Sequence, residues 1–454
     1  MSHGLYLLDH CCYQPPEECR VVLKECEEHG KDWPMYSEDM KDFMLKVFVK
    51  SGIGMESTFL PKAIHPKHTS EPTNDMTSAM KEAEMVMGGA FSDLLQRTGL
   101  RPNDIDILVT CSSIFCPTPS LASMLVNKFK LRTDIQSYHL GGMGCGTGVV
   151  GMNLIRDLLK ARPNSVAVFV PAEITTYCFY PGKEKSRMVA NVIFRMGGAA
   201  IALTNKPSLR SRAKYELVAA SRVHTGADDD AYGCMSWGPD KAGINGVYLG
   251  FNVVDAAGKA IKAVMTDIAP RIMTWGQYGA AASNIIQRNV LGKEVAPYAP
   301  DWTKSVDHFA LHAGGYAVLK GLQAGLSLPS AAMLPSFAGL REYGNTSCST
   351  TWYSMAYIET CQGVLKNQRV LQLGVGGGMK AGVNVWRALR DIRQEHPVWQ
   401  HLKDSPLTEA DLPRGVEEGE IRDPRLAQIA RDAAAAAAKS RQAQLEEQMA
   451  DSGH

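Results

Sequence analysis

Residues 140–150 have the sequence LGGMGCGTGVV and form the most informative segment of this 454-residue chain. A β-rich run at 135–140 leads into the segment, and a helical pattern at 149–159 follows it. Glycines on both sides of Cys145 permit a tight turn and the close approach of a substrate. A cysteine at the start of a helix faces unpaired N–H groups, which lower its pKa and can hold an oxyanion. The segment therefore predicts a nucleophilic cysteine, with a packing cysteine in a glycine-rich turn as the alternative.

Apolar runs alternate with helical patterns on both sides of this segment. Six further runs are typical of short buried strands: 105–111, 165–171, 199–204, 214–223, 306–311 and 370–374. Helical patterns cover 120–131, 252–275 and 349–365. Continuous apolar strands separated by helices predict an α/β fold whose sheets are covered by helices on both faces.

The composition is that of an ordinary globular protein, with 45% apolar residues, 21% charged residues and a net charge of +1. This balance excludes a disordered or collagen-like chain and gives no indication of nucleic-acid binding. The chain shows neither a signal peptide nor an apolar run of the roughly 18–20 residues that a membrane helix needs. Its 11 cysteines include no CxxC pair, which predicts free thiols in a reducing compartment and no metal site.

Three further segments carry residue types suited to catalysis. His312 ends a strand-like run before a Gly-Gly turn, so we expect it at the rim of a sheet, where α/β proteins bind ligands. Asn345 lies in Gly-Asn-Thr-Ser, which is also ordinary turn and N-cap chemistry. Gly374 and Gly376 belong to a glycine run without nucleotide-binding spacing, which favours a loop packed against substrate. The order Cys, His, Asn also occurs in papain-like hydrolases, so order alone leaves a hydrolase open.

The motifs GGMGCGTG at 141–148, HAGG at 312–315 and GNTS at 344–347 resemble the condensing enzymes of the thiolase superfamily. The most similar group is the plant and algal 3-ketoacyl-CoA synthases of fatty-acid elongation, which are related to type III polyketide synthases. The other segments similar to this group are GLYLLDHCCYQPP at 4–16, SGIGMESTFLP at 51–61, PTPSLASMLVNKFKLR at 117–132, EKSRMVANVIFRMGGAA at 184–200 and HTGADDDAYG at 224–233.

The resemblance implies a thiolase-like five-layered αβαβα sandwich built from two similar halves, usually as a homodimer. We predict an N-terminal half at 1–205 carrying Cys145 and a C-terminal half at 206–390 carrying His312 and Asn345. A charged, alanine-rich tail at 391–454 is predicted to lie outside the core, as a linker and one solvated helix at 425–449.

The resemblance also implies a decarboxylative Claisen condensation. Cys145 would accept the acyl group of a long-chain acyl-CoA, and His312 and Asn345 would stabilise the enolate formed from malonyl-CoA. The product would be a 3-ketoacyl-CoA two carbons longer, made without a metal or redox cofactor. The alternatives are a type III polyketide synthase, with the same fold and the same three residues, and a non-catalytic acyl-CoA-binding elongase subunit.

Further roles are implied only by the resemblance. His224 and His308 match supporting positions, and Lys46 and Lys50 match CoA-binding positions loosely, although a solvated helix face explains the two lysines equally well. Arg341 stands where the family has a histidine, which argues that this position is not essential to the chemistry.

Membrane association is likewise implied by the resemblance alone. Family members usually carry two N-terminal membrane helices, and this chain begins where those helices should end. An endoplasmic-reticulum location and contacts with other elongase subunits are therefore expectations, and a truncated, soluble or peripheral form stays open.

Overall fold

The protein, described by a computed structural model over residues 4–412, is built around one large mixed β-sheet. The sheet contains nine strands in the order β3-β2-β4-β5-β1-β6-β11-β10-β9, and β7 and β8 form a separate hairpin. The strands are β1 (Tyr6–Cys12), β2 (Ile107–Ser112), β3 (Gln136–Gly141), β4 (Val166–Glu173), β5 (Gly197–Thr204), β6 (Tyr215–His224), β7 (Met235–Pro239), β8 (Asn245–Leu249), β9 (His308–Leu311), β10 (Arg369–Gly376) and β11 (Lys380–Ala388).

Helices of very different lengths connect these strands. They are α1 (Leu23–Gly30), α2 (Glu38–Lys50), α3 (Met76–Thr98), α4 (Leu121–Phe129), α5 (Thr147–Ala161), α6 (Thr175–Cys178), α7 (Lys185–Ile193), α8 (Asp229–Gly233), α9 (Val253–Ile272), α10 (Trp275–Asn289), α11 (Tyr316–Gly325), α12 (Ser330–Tyr343) and α13 (Thr350–Tyr357). Within residues 4–412, no helix is both long and apolar enough to cross a bilayer.

The layers of the fold follow from the contacts of four helices. Helix α5 contacts β2 and β4 on one side and β10 and β11 on the other, and α13 contacts both β1 and β9. Helix α3 packs on β1, β4 and β5, while α9 packs on β6 and β11. On β5, Gly198 faces Val86 of α3 and the neighbouring Gly197 faces Tyr353 of α13, so these helices cover opposite faces. The structure confirms the predicted α/β fold and its thiolase-like αβαβα layering.

The two parts of the sheet meet where β1 pairs with β6. This pairing joins Tyr6 to Glu216 and Leu7 to Tyr215. The sheet is therefore continuous, and it folds over α5, which packs between its two parts. The boundary predicted at residue 205 falls between β5 and β6 and stays a prediction.

Burial explains why the strand predictions succeeded. Every residue of β2, β4 and β5 is buried, as continuous apolar runs predict for strands covered on both faces. The helix predicted at 252–275 is wrong at its end, because α9 stops at Ile272. A capping box then starts α10, with the Thr274 side chain accepting from the Gln277 N–H.

The start of the predicted tail lies in the core, so its predicted placement outside the core is wrong there. Ile392 forms a β-bridge with Val364, and the Trp399 indole donates to the Tyr353 carbonyl at 2.9 Å. Trp399 is fully buried, because it fills space between α13 and the last turns of the described chain. The helix predicted at 425–449 lies outside the described residues.

Candidate active site

Cys145 sits in the turn between β3 and α5. Gly142 and Gly144 adopt positive φ angles of 68° and 72°, which L-residues rarely adopt. The Thr147 hydroxyl donates to the Gly144 carbonyl at 2.7 Å and closes the turn. The Cys145 side chain is 7% exposed at the start of α5, as the sequence predicted.

The second glycine run packs directly on this turn. A Cβ on Gly376 would lie 2.5 Å from the Gly146 nitrogen and 2.6 Å from the Cys145 nitrogen, and one on Gly374 would lie 2.8 Å from the Val149 side chain. Both glycines are buried, so their visible role is to let β10 approach the cysteine turn. Their predicted contact with CoA stays a prediction.

His312 follows β9 and is held by a defined hydrogen bond. Its Nδ1 lies 2.6 Å from the Thr350 hydroxyl, which itself donates to the Ser347 carbonyl at 3.1 Å. Because that hydroxyl proton is used, its oxygen accepts from Nδ1–H, which leaves a lone pair on the Nε2 of His312. Burial lowers the pKa of His312 to about 4, so the imidazole is neutral near pH 7.

Asn345 is also buried, and its amide is fixed at both ends. Its Oδ1 accepts from the Ser347 N–H at 2.8 Å, and its Nδ2 donates to the Gly314 carbonyl at 3.2 Å. A side-chain amide has two N–H donors, so one remains for a ligand. Gly314 is two residues after His312, which ties the amide to the histidine turn.

A hydrogen-bond network thus connects the three predicted catalytic residues. The Cys145 side chain bonds to the Ser347 side chain, Ser347 bonds to Asn345, and Asn345 bonds to the histidine turn. Thr350 closes the ring from His312 back to Ser347. The structure therefore brings Cys145, His312 and Asn345 to one site at the meeting point of the two halves.

Sequence reasoning missed two residues of this network, Glu173 and Ser347. Glu173 ends β4 and is 3% exposed. Its carboxylate accepts from the Ser112 hydroxyl at 2.9 Å, from the N–H groups of Ser113 and Ile114 at 3.1 Å, and from the Ser347 hydroxyl at 3.1 Å. A glutamate at the end of the apolar strand VAVFVPAE was the available signal.

The expected lowering of the Cys145 pKa is wrong. Burial raises the pKa of the thiol to about 12; the hydrogen bond from Ser347 opposes this rise, and the charge of Glu173 adds to it. The helix start does not outweigh removal of the thiolate from water. Free Cys145 is therefore a protonated thiol near pH 7 and needs a proton acceptor to react.

The two supporting histidines lie at different places. His224 is exposed at the end of β6, where it pairs with Lys380, and the Lys380 ammonium donates to the Met143 carbonyl at 3.1 Å. His224 therefore lies near the rim of the cysteine turn. His308 begins β9, four residues or about 13 Å of strand before His312, and its ring nitrogens face Gln362 and Gln368. The structure does not bring His308 to the site.

The basic residues near the site lie at the surface. Lys46 and Lys50 are exposed on α2, and the next residue, Ser51, accepts a backbone hydrogen bond at 3.2 Å from Tyr316, just after the histidine turn. Lys50 therefore lies beside the site, with Lys46 one helical turn away. The Arg341 side chain is 40% exposed and faces Glu342 at 3.4 Å.

One cluster has donor atoms close enough for a metal ion. His10, Glu359 and His396 are buried, and one possible ligand atom from each lies within 4.8 Å of the others. Glu359 already bonds to the Lys214 ammonium at 2.5 Å, and the Nδ1 of His396 lies 3.2 Å from Arg97. Lys214 and Arg97 thus engage one donor atom each of Glu359 and His396, whereas both ring nitrogens of His10 have no hydrogen-bond partner among the residues that the structure describes, and we describe the cluster as part of a charge network around Lys214.

Comparisons with known proteins identify the family of the chain. Residues 1–290 match the family described as FAE1/Type III polyketide synthase-like protein. The chain is 41% identical over 389 residues to 3-ketoacyl-CoA synthase 5 of Arabidopsis thaliana, covering 86% of this chain and 78% of that protein. It is 40% identical over 393 residues to 3-ketoacyl-CoA synthase 6 of the same plant, with coverage of 86% and 78%.

Solved structures show the same fold at lower identity. CsyB complexed with CoA-SH has a TM-score of 0.67 at 18% identity and covers 85% of this chain and 100% of its own. Tetrahydroxynaphthalene synthase from Streptomyces coelicolor A3(2), a bacterial type III polyketide synthase, has a TM-score of 0.67 at 17% identity, with coverage of 85% and 99%. The chain belongs to the FAE1/type III polyketide synthase-like family and, within it, to the 3-ketoacyl-CoA synthases, the condensing enzymes of fatty-acid elongation.

Proposed function

We propose that Cys145, His312 and Asn345 catalyse the condensation of a long-chain acyl-CoA with malonyl-CoA. The observation that carries this assignment is the network through Ser347, Gly314 and Thr350, which holds the three side chains in one buried site. The overall reaction consumes acyl-CoA, malonyl-CoA and one proton, and releases 3-ketoacyl-CoA, CoA and CO2.

In the first half-reaction, Cys145 takes the acyl group. The lone pair on the Nε2 of His312 accepts the thiol proton, and the thiolate attacks the thioester carbonyl. The bond from the acyl carbon to CoA sulfur breaks, and the CoA thiolate leaves with the proton that His312 held. This role fits a neutral imidazole whose Nδ1–H is engaged by Thr350.

In the second half-reaction, malonyl-CoA loses CO2 at the same site. The carbon–carboxylate bond breaks, and its electron pair forms an enolate whose oxygen accepts from the remaining N–H of Asn345 and from the Nε2–H of His312, which has by then taken up the one proton that the overall reaction consumes. The enolate carbon attacks the acyl-Cys carbonyl, and the Cys145 thiolate leaves and takes that proton from His312. The proposed chemistry uses two CoA thioesters and needs neither a metal nor a redox cofactor.

CoA is proposed to enter beside Lys50. This exposed ammonium lies next to the histidine turn, and cations at such a mouth attract the phosphates of CoA. Location at the endoplasmic reticulum and association with other elongase subunits are proposals supported by family likeness.

We also propose a homodimer that pairs through β3. This strand is at the edge of the sheet, its first three residues are exposed, and Tyr138 is 39% exposed. An open strand edge is a template for a second copy. Light scattering after gel filtration should give twice the chain mass for the wild type and the single mass for Tyr138→Lys. A monomeric wild type would contradict the dimer.

Intact-protein mass spectrometry tests the reaction. Incubation with a long-chain acyl-CoA should add one acyl group at Cys145, and malonyl-CoA should then remove it as a 3-ketoacyl-CoA two carbons longer. Cys145→Ala should abolish the adduct, whereas Cys116→Ala, which removes an exposed thiol, should keep it. An adduct that leaves as free acid would identify a hydrolase, and a cyclised product would identify a polyketide synthase.

His312→Ala separates the proposed roles further. Loss of the imidazole should slow the decarboxylation of malonyl-CoA more than the acylation of Cys145, because the Cys145 thiolate formed at high pH can still accept the acyl group. Slower acylation with normal decarboxylation would contradict the role given to His312.

A further inference from the structure

A cavity of about 310 Å³ lies away from the active site, at the opposite end of the sheet. Four elements form its walls: β1, the end of α3, the segment before β6 and the segment after β11. The residues that matter here are Asp9, Arg97, Thr98, Ser211, Arg212 and Arg390.

The length of strand β11 gives the distance between this cavity and the turn that holds Cys145. The first residue of β11, Lys380, contacts Met143 in the cysteine turn, and its last residue, Ala388, is two residues before Arg390. Eight residues of strand span about 27 Å. The cavity is therefore a separate place on the molecule, beyond the reach of the catalytic side chains.

Three guanidinium groups surround the cavity, and one of them, Arg97, interacts with the carboxylate of Asp93. Arg97 uses its Nη1 on His396, a neutral histidine acceptor, and Arg212 donates to the Thr98 carbonyl. Within residues 4–412, the Arg390 side chain has neither a hydrogen-bond partner nor an ion-pair partner. Three cations around one cavity repel one another unless an anion joins them.

The one acid in the wall is held from behind by a cation that it shares with Glu359. One oxygen of Asp9 accepts from the Lys214 ammonium at 2.6 Å and from the His10 N–H at 2.8 Å. The other accepts from the Gln394 amide at 3.2 Å. The cations of Lys214, Arg97, Arg212 and Arg390 outnumber the carboxylates of Asp9, Asp93 and Glu359 by one, so the cavity carries an excess of positive charge.

The wall is also built to hold its shape. Lys214, which is 1% exposed, bridges Asp9 to Glu359, and Glu359 accepts from the His396 ring that faces Arg97. Asp9 and Arg97 are thus connected to the same buried network of hydrogen bonds and ion pairs. A fixed wall loses little conformational entropy when a ligand binds.

We propose that this cavity binds a phosphate monoester. Arginine forks match phosphate oxygens with paired N–H donors, and the exposed Ser211 hydroxyl adds a neutral donor. The volume suits a phosphate with a small attached group, at the lower end of ordinary ligand pockets. The two sources of this chemistry are free phosphate and the 3′-phosphate end of CoA.

Calorimetric titration of the full chain with inorganic phosphate, and separately with adenosine 3′,5′-bisphosphate, tests the proposal at constant ionic strength. Wild type should bind at least one of the two probes. Binding of phosphate alone identifies a free anion as the source, and bisphosphate binding that Arg390→Gln weakens, without phosphate binding, identifies the CoA end. Arg390→Gln should weaken this binding at least about tenfold, because it removes charged hydrogen bonds.

Matched variants keep the result specific to this cavity. Arg222→Gln removes an exposed arginine on β6 and should leave the binding of both probes unchanged. Lys50→Ala removes the proposed CoA contact near the active site, so it should leave the binding of inorganic phosphate unchanged and weaken only bisphosphate binding at that site. Arg390→Lys keeps the charge, removes the fork and should give intermediate affinity. Equal binding by wild type and Arg390→Gln, or no binding of either probe, would overturn the proposal.

Discussion

Two buried carboxylates, Glu173 and Glu359, show how one side chain serves different purposes in the two halves of the molecule. Glu173 is 3% exposed beside the nucleophile, and Glu359 is fully buried behind β1. Hydroxyl and backbone N–H groups hold Glu173, and none of these donors is charged. Lys214 and His396 hold Glu359, so its charge is cancelled by a cation.

The difference decides what each charge can influence. The charge on Glu173 has no cation beside it, so its field reaches Cys145 and raises the pKa of that thiol. The charge on Glu359 is paired with the ammonium of Lys214, which also pairs with Asp9. We infer that Glu173 tunes the chemistry while Glu359 holds the fold together.

The largest expected effect comes from removing the shared cation. Lys214→Met should lower the free energy of unfolding by about 3–5 kcal/mol, because Asp9 and Glu359 would remain buried without a counter-charge. Denaturant titration measures this change. The control Lys259→Met breaks an exposed pair with Asp255 and should cost less than about 1 kcal/mol. Similar losses in the two variants would show that Glu359 is not a structural ion pair.

The next effect concerns the thiol, and two variants should shift it in opposite directions. Glu173→Gln removes a negative charge near Cys145, so its pKa should fall and alkylation at a fixed pH should speed up about tenfold. Ser347→Ala removes the hydroxyl that opposes the rise of the Cys145 pKa, so alkylation should slow about tenfold. Iodoacetamide labelling, mapped to Cys145 across a pH series, measures both changes.

If both substitutions merely loosened the packing of the site, the rate of Cys145 alkylation would change in the same direction in both variants. That result would contradict the roles assigned to Glu173 and Ser347. Glu82→Gln is the matched control, because Glu82 is also buried and held by N–H groups, those of Thr175 and Thr176, and it is not among the charges that act on Cys145. It should leave the labelling profile of Cys145 near that of the wild type.

The third effect is the pH dependence of stability that His10, a member of the Glu359 network, contributes. Burial lowers the pKa of His10 from 6.5 to about 3, so the folded protein binds fewer protons than the unfolded chain below pH 6.5. This contribution to stability is present above about pH 6.5 and is lost as the pH falls toward 3. Between pH 7.5 and 5.5 the loss from one such histidine is about 1.4 kcal/mol.

His10→Phe should remove that part of the acid sensitivity while keeping a ring beside Trp352. Denaturant midpoints at pH 7.5 and 5.5 measure the difference between the variant and the wild type. His29→Phe, at an exposed position, should change nothing. An unchanged pH dependence in His10→Phe would mean that His10 is already protonated in the folded protein.

The contrast between the carboxylates also explains what the sequence could predict. Apolar runs such as 165–171 predicted the strands, because burial on both faces requires continuous hydrophobic sequence. Glycine-rich and Gly-Asn-Thr-Ser turns singled out Cys145, His312 and Asn345, and the resemblance to condensing enzymes joined them into one predicted site. Glu173 was missed because a single glutamate at the end of a strand is read as a boundary, and its donors come from two distant segments.

The charge network behind β1 could not be predicted for a similar reason. His10 and Glu359 are 349 positions apart and meet only because α13 packs on β1. The same packing draws residues 392–399 into the core, although their composition is typical of a solvated tail. The local sequence pattern determines the helices and strands, whereas these contacts depend on how the two halves of the fold pack against each other.

The smallest expected effect is the sharpest test of the comparison. Glu359→Gln removes a buried charge, as Glu173→Gln does, and leaves Lys214 paired with Asp9. Because Lys214 cancels the charge of Glu359 in the wild type, the labelling profile of Cys145 should stay within about twofold of the wild type. The measurement is the same iodoacetamide series, made at low temperature on protein whose fold is checked by circular dichroism. An acceleration equal to that of Glu173→Gln would mean that any buried carboxylate influences the thiol, and that neutral donors around Glu173 are not what gives it this role.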